Sequence, residues 1–236
     1  MSPPLASTVG PSAYWYMTRA TGTTALILLT LSVVLGVIDV ERYTTTRMPR
    51  FVIDGVHRTV SLLAVTFLVV HIVTAALDSF ASIPLIDAIV PFVGSYRPFW
   101  LGLGAASFDL VLAVVITSLA RRRLGYRTWR FTHWLAYASW PIALLHGLGT
   151  GSDIKSTWMI AISGFCVAAV LLAVCIRVAS GWPGRAGLRS VALGLAVCFA
   201  GGTALWLPSG PFAAGWARRS GTPTSLLRPA TIRSAR

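Results

Sequence analysis

The sequence predicts an all-α integral membrane protein, a bundle of six transmembrane helices. Three observations predict it. Hydrophobic residues make up 55% of the 236-residue chain against 11% charged, and the mean hydropathy is +0.72, which no ordinary soluble domain shows. Six apolar runs reach the roughly 20 residues that a helix needs to cross a hydrocarbon core about 30 Å thick. The runs are continuously apolar instead of alternating, which excludes barrel strands.

The expected spans are 15–38, 55–77, 98–120, 130–149, 157–178 and 187–207. The first opens on Tyr14, Trp15 and Tyr16 and carries Arg19 early in an otherwise apolar run. The second holds two histidines, and the third holds Asp109 near its middle. The fourth holds two histidines and Pro141. The fifth and sixth hold Cys166, Cys175 and Cys198, whose spacing matches neither a zinc nor an iron–sulfur pattern. Gly and Ala dominate the sixth, which suits close helix packing in lipid. No basic n-region precedes the first span, so a cleaved signal peptide is not expected. The organisation read from this is a short external segment at 1–13, a membrane domain at 14–207 and a disordered Arg/Pro/Ser-rich tail at 208–236.

Arginines assign the sides. Arg42, Arg47 and Arg50 lie between the first two spans, Arg121, Arg122, Arg123, Arg127 and Arg130 before the fourth, and Arg177, Arg185 and Arg189 before the sixth. The other connections carry little beyond Arg97 and Lys155. The positive-inside rule makes the first set cytoplasmic and both termini external, in a plasma (cytoplasmic) membrane. The tail arginines, Arg218, Arg219, Arg228, Arg233 and Arg236, run against that rule, but short loops dominate orientation. The net charge of +13 is thus a topology device that also meets anionic membrane lipids. Arginines scattered among loops make no nucleic-acid surface.

All four histidines sit in two spans, His57 and His71 in the second, His133 and His146 in the fourth, at separations of 14 and 13 residues. At about 1.5 Å per residue each pair spans roughly 20 Å, most of a hydrocarbon core. A lone histidine at membrane depth is more often a packing residue. Two matched pairs, with no histidine elsewhere, read as two stacked haem sites between helices two and four, each haem b held by two imidazoles and suited to electron transfer. One geometric difficulty is expected. A 14-residue step returns to within about 40° of its starting face, whereas a 13-residue step lands about 140° away on a straight helix. Pro141, between His133 and His146, predicts a bent or rewound segment.

The stretch Trp129-Arg130-Phe131-Thr132-His133-Trp134-Leu135-Ala136-Tyr137, with Trp140 and His146-Gly147 after it and Asp54-Gly55-Val56-His57-Arg58 and Val70-His71 before it, resembles the ferric reductase-like transmembrane domain. That superfamily includes ferric-chelate reductases, NADPH oxidases and the haem-binding subunit of the methionine sulfoxide reductase system. The resemblance covers roughly residues 15–178. It implies that His57 and His133 share the inner haem, that His71 and His146 share the outer one, and that electrons run outward through two haems b. Relatives of the oxidase branch continue into a flavin and nicotinamide domain. Here only a short loop and one more span follow, and no dinucleotide fingerprint is found. The expected donor is therefore a separate flavoprotein or a quinol, and the acceptor a ferric chelate, oxygen or a partner flavoprotein.

Further candidates flank the histidines. Arg58 and Arg130 on the inner side, and Arg19 and Arg97 on the outer, are candidate partners for haem propionates, against the plain reading of topology charges. Tyr137 and Trp140 lie between the two levels as candidate inter-haem aromatics, against simple packing. Asp109 is an intramembrane carboxylate, a functional candidate by default. Two functions are carried forward within the redox class, a ferric reductase-like electron conduit and the haem-binding subunit of a methionine sulfoxide reductase-type repair system. The alternative of another class is a small polytopic proton or metal transporter, or a scaffold, in which Asp109 and the histidines line a polar path.

Overall fold

The computed structural model describes residues 12–40, 50–180, 183 and 185–227. Secondary structure among them is helical, with no strand. Helix α1 runs Ala13–Val40, α2 Arg50–Leu77, α3 Pro98–Leu119, α4 Arg121–His133, α5 Leu135–Thr150, α6 Thr157–Ala179 and α7 Ala186–Trp206. Two single turns follow, α8 at Trp216–Arg219 and α9 at Thr224–Leu227. The first-loop residues Arg42 and Arg47, together with Trp182, Arg228, Arg233 and Arg236, lie outside the described residues.

Among the described residues, five helices are long and apolar enough to cross a membrane: α1, α2, α3, α6 and α7. The expected fourth span is divided. Helix α4 ends at His133, and α5, with 16 residues, starts at Leu135. The break has a local cause. The Trp134 N–H donates to the Phe131 carbonyl (3.2 Å) and the Tyr137 N–H to the Trp134 carbonyl (3.0 Å), three-residue bonds that wind the chain more tightly than an α-helix. Pro141, expected to be the bend, lies inside α5, seven residues further on. Upstream, α4 is itself kinked at Gly125, whose φ of 77° suits glycine alone.

The bundle is inside-out relative to a soluble protein. Leu119, Leu205 and Phe165 are 83%, 82% and 71% exposed, whereas Thr21, Thr30, Thr74, Ser107, Ser139, Ser163 and Thr203 are buried. In lipid the leucines need no protein cover, and small or hydroxylated residues let helices approach and bond across the seam. Along the antiparallel α1/α2 seam Thr18 bonds Thr74 (3.0 Å) and Ser32 bonds Ser61 (2.8 Å). Along α3/α5 the Ser107 hydroxyl donates to the Ser139 carbonyl (2.9 Å). Helix α6 packs on α1, and α7 on α6. Trp140, Leu144 and Leu148 of α5 with Ile154 and Cys166 form the buried core.

Helix α2 makes no extended packing contact with α4 or α5. The bundle is two antiparallel pairs, α1/α2 and α3/α5, with a gap between α2 and α5. Where the composition predicts a disordered tail from residue 208, the described residues to Leu227 instead fold back as a strap over the end of α5. Pro211 is fully buried, and Ser220 and Thr222 are 5% and 9% exposed. The strap lacks a core of its own but packs Trp216 against Trp206 and Trp100 of the bundle.

Candidate functional site

The four histidines face one another in pairs across the gap. His57 and His133 have ring centroids 6.4 Å apart with planes at 69°, and His71 and His146 have centroids 6.3 Å apart at 81°. The tight turn at Trp134 helps bring two histidines of one chain segment, His133 and His146, to the same gap. Each tightened residue turns about 120° instead of about 100°, so a few of them recover part of the 13-residue offset.

The far pair has fixed tautomers. His71 Nδ1 lies 2.8 Å from the Thr18 carbonyl, and His146 Nδ1 lies 2.8 Å from the Trp100 carbonyl. A carbonyl only accepts, so each Nδ1 carries the proton and donates it, and each Nε2 keeps its lone pair. A carbonyl that holds Nδ1–H in this way orients the ring and leaves Nε2 free to bind a metal. At the near pair, His133 is stacked on Trp129 with centroids 5.0 Å apart, and Arg121 covers the Trp129 ring at 4.1 Å. His133 Nδ1 is buried with no hydrogen-bond partner among the described residues.

Glycines make room behind the rings. A Cβ on Gly22 would stand 2.8 Å from His71 and one on Gly104 would stand 2.6 Å from His146, both too close, whereas one on Gly36 would meet His57 at an ordinary contact distance of 3.5 Å. Sequence reasoning missed these three. A signal was present for two of them, since Gly22 and Gly36 repeat the 14-residue interval of His57 and His71 on the antiparallel neighbour.

The residues present fit a macrocyclic metal group. An imidazole nitrogen binds a metal at about 2.0–2.1 Å and lies on the order of 1.1 Å from its ring centroid, so two imidazoles on opposite sides of one metal have centroids about 6.3 Å apart. Both observed separations agree. Among the described residues no three His, Cys, Asp or Glu side chains gather around a common point. A bare zinc ion wants three or four protein ligands, whereas haem iron brings four nitrogens of its own and needs only axial partners.

The remaining candidates divide. Arg19 pairs with Asp153, beyond the end of α5, and its guanidinium lies 3.8 Å from the Trp15 ring centroid. Arg97 is 8% exposed and is bonded to Thr222, Gly149 and Thr150. Arg58 and Arg130 are exposed at the α4 end. Trp140 is turned into the core, where its Nε1 donates to Thr30 Oγ1 (2.8 Å), and Tyr137 lies on Trp134 at 5.9 Å. Asp109 is half-buried on α3 and makes no hydrogen bond among the described residues.

The family model for the ferric reductase like transmembrane component matches residues 21–144, just over half of the chain. The match takes in His57, His71 and His133 and stops two residues before His146. No curated protein and no solved structure matches the chain. The multi-pass apolar fold and this match together make the chain a membrane electron-transfer component, a member of the ferric reductase-like transmembrane family.

Proposed function

We propose that this chain is a two-haem b cytochrome that carries electrons through the bilayer, from a donor on the arginine-rich α4 side to an acceptor on the opposite side. The supporting observation is the pair of imidazole couples, each with the centroid separation of two ligands on one metal, set across a gap that no helix packing fills. His57 and His133 would hold one haem and His71 and His146 the other, with α5 serving as the sixth span. Bound there, haem b supplies reversible one-electron chemistry at iron.

The chain's own residues do the rest. The Thr18 and Trp100 carbonyls hold the Nδ1 protons and fix the ring planes, which limits reorganisation when charge arrives. The apolar helices keep water from the path. Trp129 lies against His133 beneath the exposed arginines of α4, which favours electron delivery from that side by a flavoprotein or quinol. Of the propionate candidates, Arg58 and Arg130 keep their guanidinium groups at the surface, while Arg19 and Arg97 already have partners.

The test is a dithionite-reduced minus oxidised spectrum of the full chain purified with haem supplied. About two low-spin haems b per chain are expected from the ligand count, falling to about one in His57→Ala or His146→Ala. A folded chain that takes up no haem would sink the proposal. It would revive the transporter reading, which no hydrogen bond or ion pair of Asp109 among the described residues now favours.

A further inference from the structure

The strap lies wholly outside the stretch matched by the family model, yet its contacts gather on the residues that hold one histidine, His146. Trp216 Nε1 donates to the Gly149 carbonyl (3.1 Å), three residues beyond His146. Arg97 donates through one terminal nitrogen to the Gly149 and Thr150 carbonyls (2.9 and 3.1 Å). Strap residues hold Arg97 in turn: its Nε donates to Thr222 Oγ1 (2.9 Å) and its backbone N–H to the Gly221 carbonyl (3.1 Å). The open carbonyl end of α5 is thereby capped by a buried cation and an indole, as helix C-termini favour.

A second set of contacts reaches the residue that accepts the His146 hydrogen bond. Trp100, whose carbonyl accepts from His146 Nδ1–H, has its ring stacked on Trp206 (4.9 Å, 23°) and beside Trp216 (5.3 Å). A Cβ on Gly149 would run into the Trp100 ring, so α5 and this indole are in close contact. His71, by contrast, is held from α1 through Thr18.

We propose that the strap is a positioning element for the outer site. It clamps both the helix end that carries His146 and the carbonyl that orients its ring. The inference rests on the haem reading above. Loosening the strap should weaken the Nδ1–H···O bond to Trp100. A less basic imidazole stabilises ferric iron less, so the outer midpoint potential should rise.

Trp216→Phe keeps an aromatic ring, smaller than the indole, but removes the donor, and Thr222→Val keeps the shape but removes the acceptor for Arg97. Neither changes charge. In the full-length haem-loaded protein, we would follow redox titration by the two ferric low-spin resonance signals, and haem transfer to apomyoglobin. Expected for both variants is a higher midpoint and roughly 10-fold faster loss for one haem, the one missing in His146→Ala, with the other haem unchanged. Unchanged titrations, or equal shifts of both haems with a lowered melting temperature, would overturn the proposal, since the strap would then only hold the fold. A wild-type protein without two bis-imidazole signals would instead overturn the haem reading, and the wild-type spectrum alone tells that failure apart.

Discussion

At the scale of single residues, the site depends as much on what is missing from neighbours as on the imidazoles. His146 sits over Gly104, where a Cβ would stand 2.6 Å from the ring, well inside van der Waals contact. The same Nδ1 edge of the ring is bonded to the Trp100 carbonyl one turn earlier on α3, so a ring that withdrew from a Cβ at 104 would also lose that bond. Gly104→Ala should therefore displace His146 and reduce haem content from about two per chain to about one, leaving the His57/His133 signal in place. Gly147, next to the same histidine, has nothing within 4 Å of its would-be Cβ, and Gly147→Ala should leave both signals intact. Pyridine-haemochrome quantitation of the two variants checks the contrast. Equal behaviour would mean that the Gly104 contact does not constrain the ring.

At the scale of elements, the division between α4 and α5 brings His133 and His146 to one gap. The three-residue bonds at Trp134 lie immediately after His133, whereas Pro141 only omits a bond inside α5, a loss that membrane helices tolerate. Pro141→Ala should thus keep both haem signals, with a melting temperature unchanged or raised. Loss of one haem in that variant would return the cause of the bend to the proline. Most of the helices were legible in the sequence, because a long apolar run leaves the backbone no alternative to helix in lipid. The offset of the 13-residue step was legible too, but its place was not. Three-residue bonding leaves no residue-type signature, while proline is conspicuous. The histidine pairs could be read from spacing and confinement to two spans. The strap could not, because residues 208–227 have few core formers and fold only against Trp100, Trp206 and Arg97 of the bundle.

At the scale of the whole molecule, the arrangement of charge and apolar surface decides how the bundle lies in the bilayer. Exposed leucines girdle α2, α3, α6 and α7, and the arginines of α4 form a band beyond the end of α3. Helix α5 is the uncertain crossing by length alone, since 16 residues at about 1.5 Å each span only about 24 Å. Yet α5 runs antiparallel to α3, bonded to it at Ser107–Ser139 and at Trp100–His146, and α3 has a full span of 22 residues. A crossing by α5 alongside α3 is what the proposed function requires. If so, Thr128 in α4 and Ser152 after α5 lie on opposite sides. Thr128→Cys and Ser152→Cys, each introduced after the three native cysteines are replaced by Ala, should react with a membrane-impermeant maleimide from opposite faces of sealed vesicles. By the positive-inside rule the Thr128→Cys label should be cytoplasmic. Labelling of both from one face would remove α5 as a crossing, place both histidine pairs near the same surface and end the case for conduction across the bilayer.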